Sequence, residues 1–445
     1  MIDRPARPAL EPAVNLLQYG LFAVACTLPL LIFYLLRKYA VNVPEGDEWA
    51  VSMLVVKMHQ GTLTLQDLWE QHNEHRMLVP YSIMMLLAKP GWNVIRETYF
   101  SLVLVVCTQI VTLLLLRKIF RGTALGVAFL FASCCLYFTV QAENWLWGFQ
   151  IAWFLTGFLL VTQVWLLTVF PLATWSYWLS VLVAFAASFT MSSGLNLWIV
   201  GLVLLWLNRK QVGPRKIGLW VILSIVGFAI YLHGWSRSGL QSHPSYAFTH
   251  PIEFFGYLFA YFGTSFGAWA GLDFSMVLGA LVLAGFGFLV FTYVRRPSAG
   301  FGDVEIPWIA VGCFSLLCGG MTDIGRVGFG IGQSMAGRYT TYSDFLWVAT
   351  FALALHATLP YLKNVPVRIA SAALTLLLIL CYSNASGAGL QAMRSFHQRD
   401  EVSLGVMKIY ASASDDVLRN AFPDAAALRT FAGDLERVHD GPFHG

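Results

Sequence analysis

Charge is what this sequence has least of. Only 12% of its 445 residues are Asp, Glu, Lys or Arg, against 57% apolar, and the mean hydropathy is +0.64. Soluble domains carry roughly 25% charge, so soluble enzymes, DNA-binding modules and disordered hubs are excluded, and no nucleic-acid partner is expected. Cysteine is sparse too. Its seven copies (Cys26, Cys107, Cys134, Cys135, Cys313, Cys318, Cys381) all lie in apolar stretches, where they read as small hydrophobes rather than a disulfide or zinc framework. Internal repeats and low-complexity segments are lacking. So are ionisable groups inside the long apolar runs, which offer little beyond Gln109, Gln163, Asn196 and His356. A pump or carrier places charge or broken helices at mid-membrane, so this scarcity favours chemistry at the membrane surface over transport.

What is present is a series of apolar runs near 14–36, 99–116, 124–140, 147–168, 175–191, 192–207, 217–235, 274–294, 306–320, 345–362 and 367–385. At about 20 residues per crossing they predict an all-α polytopic membrane protein of about 11 transmembrane helices. The run at 14–36 follows Arg4 and Arg7 and reads as a retained signal anchor. Basic clusters at Arg4/Arg7, Arg117/Lys118/Arg121, Arg209/Lys210/Arg215/Lys216, Arg295/Arg296 and Lys363/Arg368 all fall on the cytoplasmic side with eleven spans. That assignment requires 252–270 to be re-entrant or interfacial. The net charge of +4 then divides into about +9 inside and about −5 outside. Residues 1–385 form the transmembrane domain, with a first external loop at about 37–97 in which the Pro80-interrupted stretch at 77–87 lies along the interface. Residues 386–445 form a short external tail with a helix beginning at Pro423-Asp424 and ending near Val438.

The polar residues collect in the external segments. Glu45-Gly46-Asp47-Glu48 follows the first run directly. Three carboxylates this close repel, so one has a raised pKa or faces a cation; Asp47 also suits a helix N-cap. His72-Asn73-Glu74-His75-Arg76 packs imidazoles, a carboxylate, an amide and a guanidinium into five residues. It reads as a polar site for sugar or phosphate, as a solvated turn, or as a metal pair at His72 and His75 that lacks a zinc spacing. Glu143-Asn144-Trp145-Leu146-Trp147, with Gln150 one turn further, combines polar partners for hydroxyls with rings for a sugar face, although tryptophan at this depth also anchors interfaces. Ser192-Ser193-Gly194 makes a tight turn. In the last loop, Asp323-Ile324-Gly325-Arg326-Val327-Gly328-Phe329-Gly330 and Ser334-Met335-Ala336-Gly337-Arg338-Tyr339 set two arginines twelve residues apart among glycines. Guanidiniums so arranged converge on an anion such as a lipid-linked phosphate, or snorkel to headgroups.

Together these features resemble the GT-C superfamily of membrane glycosyltransferases, which take a sugar from a polyprenyl-phosphate carrier on the non-cytoplasmic face. The resemblance rests on the acidic Glu45-Gly46-Asp47-Glu48 after the first span, the membrane-lying helices of the first loop, the many spans and the external arginines. The segments at 72–76 and 325–339 are also similar to those of uncharacterised bacterial inner-membrane proteins of this type. The resemblance implies a cell-envelope enzyme of glycan biosynthesis in the bacterial inner membrane, its site facing the periplasm, with a lipid-linked sugar as donor, a glycan or lipid as acceptor, and membrane lipids as further partners. It puts the catalytic carboxylate on Asp47, with Glu48 as second choice. Glu45, His72, Asn73, Glu74, His75, Arg76, Glu143, Asn144, Trp145, Arg326, Arg338 and Tyr339 are the substrate-binding candidates. Mg²⁺ or Mn²⁺ held by Asp47 and Glu48 stays open. A flippase of lipid-linked sugar and a glycan polymerase or ligase are the alternatives.

Overall fold

A computed structural model describes residues 16–170, 173–237, 239, 242–296 and 303–443. Arg4 and Arg7 lie outside these, so their part of the charge reading does too. The chain is helical almost throughout. The main helices are α1 (Leu16–Tyr39), α2 (Glu48–His59), α3 (Leu78–Ala88), α4 (Val94–Ile119), α5 (Gly122–Leu136), α6 (Ile151–Val169), α7 (Thr174–Ser188) and α8 (Asn196–Leu207). They continue with α9 (Pro214–Leu232), α10 (Pro251–Gly267), α11 (Leu272–Val294), α12 (Ile306–Arg326), α13 (Thr340–Thr358), α14 (Val365–Met407) and α15 (Ala425–Arg437). The two short strands, β1 (Gln71–His72) and β2 (His75–Arg76), pair as an antiparallel hairpin.

Among the described residues, eight helices are long and apolar enough to cross a membrane: α1, α4, α5 with its continuation to Leu146, α6 from Gly148, α9, α11, α12 and α14. All eleven apolar runs fold as helices, but three fall short of that standard. α7 and α8 have 15 and 12 residues, and α13 starts with the buried polar residues Thr340, Thr341, Ser343 and Asp344. The 252–270 stretch forms α10, whose 17 residues span about 25 Å, less than the roughly 30 Å hydrocarbon core. Gly271, at φ 94°, turns the chain back into α11. The two helices then run antiparallel in close contact through glycine: a methyl group on Gly263 would sit 1.7 Å from the Ser275 carbonyl oxygen, and one on Gly279 would sit 1.7 Å from that of Phe259.

The bundle has two chemically distinct ends. At one, Lys118 donates to the Thr168 carbonyl, Tyr177 to that of Lys216, and Glu305 joins Arg296 to His356. This basic end holds Arg117, Arg121, Arg209 and Arg295 as well. The opposite end carries the 40–93 loop, the turns after α5 and α12, and the C-terminal segment.

That segment departs from its expected form. α14 runs 43 residues without a break, about 64 Å, so position 386 lies inside a continuous helix, where Thr139 donates to the Ser386 carbonyl at 2.9 Å. Beyond it, α15 starts where expected, with Asp424 accepting from the Ala427 amide at 3.0 Å. The tail packs onto the first loop. Trp49 of α2 stacks on Phe431 at 6.0 Å and meets Phe422 edge-on. Asn42 donates to the Gly441 carbonyl, and Asp440 accepts from the Trp92 amide. The segment that carries the acidic motif is thereby clamped between α1 and the chain's end.

Candidate functional site

A cavity of about 530 Å³ opens at the loop-bearing end. The β1–β2 hairpin forms one wall. Its turn is only two residues, Asn73 and Glu74, and Asn73 takes φ 49°, a conformation asparagine tolerates better than most residues. Cross-strand pairing sets His72 opposite His75, which brings both imidazoles to the cavity. Arg76 does not reach it. That guanidinium is buried, donates to the carbonyls of Tyr231, Trp69 and His233, and lies 5.1 Å over the Trp69 ring. It ties the hairpin to the end of α9.

Asp47 faces the hairpin. Gly46, at φ 51°, turns the chain so that Asp47 occupies the N-cap position of α2, yet its side chain makes no capping bond. Its Oδ1 instead lies 3.3 Å from His72 Nε2, with 41% of the side chain exposed. The His72 ring is held 5.0 Å from that of Phe149 and edge-on to Tyr81. The result is a carboxylate–imidazole pair with one side braced by aromatics and the other open to the cavity.

The other two acids of the motif go elsewhere. Glu48 is 1% exposed; it accepts from the Glu45 amide at 2.9 Å and the Phe149 amide at 3.0 Å. Burial and the neighbouring Glu97 carboxyl push it well above the usual carboxylate range. A methyl group on Gly148 would lie 2.7 Å from Glu97 Oε2 and 2.9 Å from Glu48 Oε1, so the turn after Trp147 closes over this acid pair. Glu45 binds Arg399 of α14, and burial raises it to about 7. Asp47, Glu48 and Glu45 thus point to three different partners and do not converge on a divalent cation. No group of three or more His, Cys, Asp or Glu suited to a metal occurs among the described residues.

Across the cavity, Glu74 Oε1 stands 3.1 Å from Arg326 Nη2 and 3.7 Å from His75 Nε2. The Ser192 amide donates to His75 Nδ1 at 3.3 Å, which puts the ring proton on Nε2, toward Glu74. Burial depresses His75 to about 4, against the opposing pull of Glu74, so at neutral pH the ring is uncharged. Arg338 is fixed by Glu143, which accepts from its guanidinium at 2.6 Å and from its backbone amide at 3.1 Å. Asn144 donates to the Arg338 carbonyl at 2.9 Å, and the guanidinium lies 5.1 Å over Tyr339.

Eight of the residues singled out from the sequence therefore meet at one cavity: Asp47, His72, Asn73, Glu74, His75, Arg326, Arg338 and Tyr339. Glu143 and Asn144 stand behind Arg338 and position it. Trp145 is fully buried and donates to the Phe138 carbonyl. The cavity also takes Trp147, Phe149, Gln150, Trp153, Trp235 and Tyr342, giving it aromatic walls. Trp153, its ring 4.5 Å from that of Tyr342, sits within an apolar helix and gives no signal in the sequence. Nor does Asp344, buried with Asp323 at this end of α12 and α13. Cavity and charges together form a space in which carboxylate, imidazole and guanidinium groups face one another between rings. Comparison of this chain with protein-family models and with curated proteins finds no match.

Proposed function

We propose that the protein is a membrane glycosyltransferase that moves a sugar from a polyprenyl-phosphate donor to a hydroxyl acceptor. The observation that supports this reading is the meeting of Asp47, Arg326 and Arg338 around one aromatic-walled cavity at the end of an apolar bundle. In this reading the loop-bearing end faces the periplasm of a bacterial inner membrane, and the basic end faces the cytoplasm.

Asp47 is the base. Its carboxylate takes the proton of the acceptor hydroxyl as that oxygen bonds to the anomeric carbon. The bond from this carbon to the phosphate oxygen breaks, and its electron pair leaves with the polyprenyl phosphate. Attack opposite the leaving group inverts the anomeric centre. His72 Nε2 stands 3.3 Å from Asp47. Arg326 and Arg338 stabilise the charge that grows on the departing phosphate, each kept in place by a carboxylate, Glu74 or Glu143. Neutral His75 serves the sugar as a hydrogen-bonding group, and Trp147, Trp153 and Tyr339 offer rings to its CH face.

A carrier reading draws on Asp323 and Asp344. Both are buried, and both oxygens of Asp323 and Oδ1 of Asp344 make no hydrogen bond, as in proton or ion relays within membranes. One experiment separates the two. Purified protein is mixed with polyprenyl-phosphate sugars and candidate acceptors, and mass spectrometry follows the products. A new glycoside that disappears in Asp47→Asn supports transfer. Translocation of the donor across vesicles with no glycoside formed supports the carrier.

A further inference from the structure

The cavity has apolar as well as polar lining. Leu232 at the end of α9 and Met321 on α12 line it, yet they are 53% and 41% exposed. Exposed apolar side chains of two helices therefore stand among the cavity's lining.

Below these side chains runs a groove of about 470 Å³ between α8 and α9, lined by Trp198, Ile199, Leu202, Val221, Ile225 and Phe228 together with Ser224 and Ala229. On α9, Leu232, Phe228, Ile225 and Val221 follow at steps of four, three and four residues, so they share one face. On the other side, Leu195 lines the cavity, and Ile199 and Leu202 continue the same line down α8. On both helices the groove thus begins one turn from the cavity, with polar lining above and apolar side chains following for about 17 Å of helix below.

The groove is built rather than left over. Trp198 and Trp220 are fully buried, and each ring lies on a glycine of the facing helix. A methyl group on Gly201 would lie 2.2 Å from the Trp220 ring, and one on Gly227 would lie 3.2 Å from that of Trp198. Trp220 Nε1 donates to the Trp198 carbonyl at 3.0 Å and Trp198 Nε1 to Ser188 at 2.9 Å. Ser224 gives its hydroxyl proton to the Trp220 carbonyl. The polar atoms of the floor are thus already satisfied, which leaves hydrocarbon as the matching occupant.

We infer that this groove holds the polyprenyl chain of the donor, which enters between Leu232 and Met321 while its phosphate lies near Arg326 and Arg338. A single channel suits a lipid with one chain; a glycerophospholipid brings two. The inference rests on the glycosyltransferase reading and adds to it the path of the carrier lipid.

Native mass spectrometry of the full chain tests it with undecaprenyl phosphate, farnesyl phosphate and dioleoyl phosphatidate. Ala229→Trp and Ile199→Trp fill the groove from exposed positions, and Val103→Trp adds the same bulk to the exposed face of α4. Undecaprenyl phosphate should bind the groove variants about tenfold more weakly than wild type, the equivalent of about 1.4 kcal/mol. Farnesyl phosphate, with three isoprene units against eleven, buries less apolar surface in the groove and should be weakened less than undecaprenyl phosphate, and Val103→Trp should bind like wild type. Undecaprenyl binding untouched by both groove variants, or weakened equally by Val103→Trp, overturns the groove and leaves the enzyme reading standing. Tighter binding of dioleoyl phosphatidate makes it a phospholipid site. Wild-type protein that binds neither polyprenyl phosphate overturns the donor reading along with the groove.

Discussion

The two ends of the bundle carry the same three side chains in the same arrangement. At the basic end Glu305 lies 2.6 Å from Arg296 and 3.4 Å from His356; at the other, Glu74 lies 3.1 Å from Arg326 and 3.7 Å from His75. Glu305 is buried and Glu74 nearly so, with 7% and 11% of the side chain exposed. The surroundings differ. His356 packs edge-on against Phe120 at 6.4 Å, so the Glu305 group closes a helix junction. Glu74 sits on a hairpin turn that opens onto a 530 Å³ cavity also holding Asp47 and Arg338. A Glu–Arg–His cluster is thus a fastening in one place and part of a candidate site in the other, and the space beside it makes the difference.

The strongest way to break this contrast is Asp47→Asn. The amide keeps the shape and removes the proposed base, so the proposed transfer should fall about 10³-fold, within the usual range for general-base catalysis. The thermal midpoint should stay close to wild type, because the side chain is 41% exposed. Normal transfer by this variant would show that the cavity's carboxylate is structural, like Glu305.

Next come the two glutamates themselves. Glu74→Gln loosens Arg326 and should lower transfer about 30-fold, equivalent to about 2 kcal/mol, mainly through weaker use of donor. Glu305→Gln should leave transfer unchanged. Arg296 is nearly half exposed, so its pair with Glu305 contributes about 1 kcal/mol or less to stability, which a melting curve measures. Equal effects on transfer would erase the distinction between the ends.

Much of the site was legible because polar residues stand out in so apolar a chain. His72 to His75, Arg326 and Arg338 came from segments far apart in sequence and meet at one cavity. The side chains' directions were not legible. Asp47 and Glu48 are neighbours, but one helix start sends the first to the cavity and buries the second under Gly148. Trp153 and Tyr342 depend on how α6 and α13 are rotated, which tertiary packing decides. The end of α14 misled for another reason. Near Ser383, Asn384 and Ser386 the composition turns polar, which marks where a helix leaves apolar surroundings and not where its hydrogen bonds stop.

The smallest effect concerns pH and returns to the paired histidines. His75 is faced by Glu74, His72, Arg326 and Asp47, and burial outweighs the carboxylates, so its folded pKa of about 4 lies below the ordinary 6.5. A histidine depressed in this way stays neutral in both folded and unfolded chains above pH 6.5 and costs nothing there. As pH falls through 6.5 the unfolded chain takes up a proton that the folded one refuses, and stability drops until about pH 4. Between pH 7.5 and 5.5 the loss from this group is about 1 kcal/mol. Comparing the melting of wild type and His75→Gln over that interval isolates it: the variant's curve should be flatter by this amount. Identical slopes for wild type and His75→Gln would mean that the ring is already hydrated in the folded protein, and that the cavity is wetter than its aromatic walls imply.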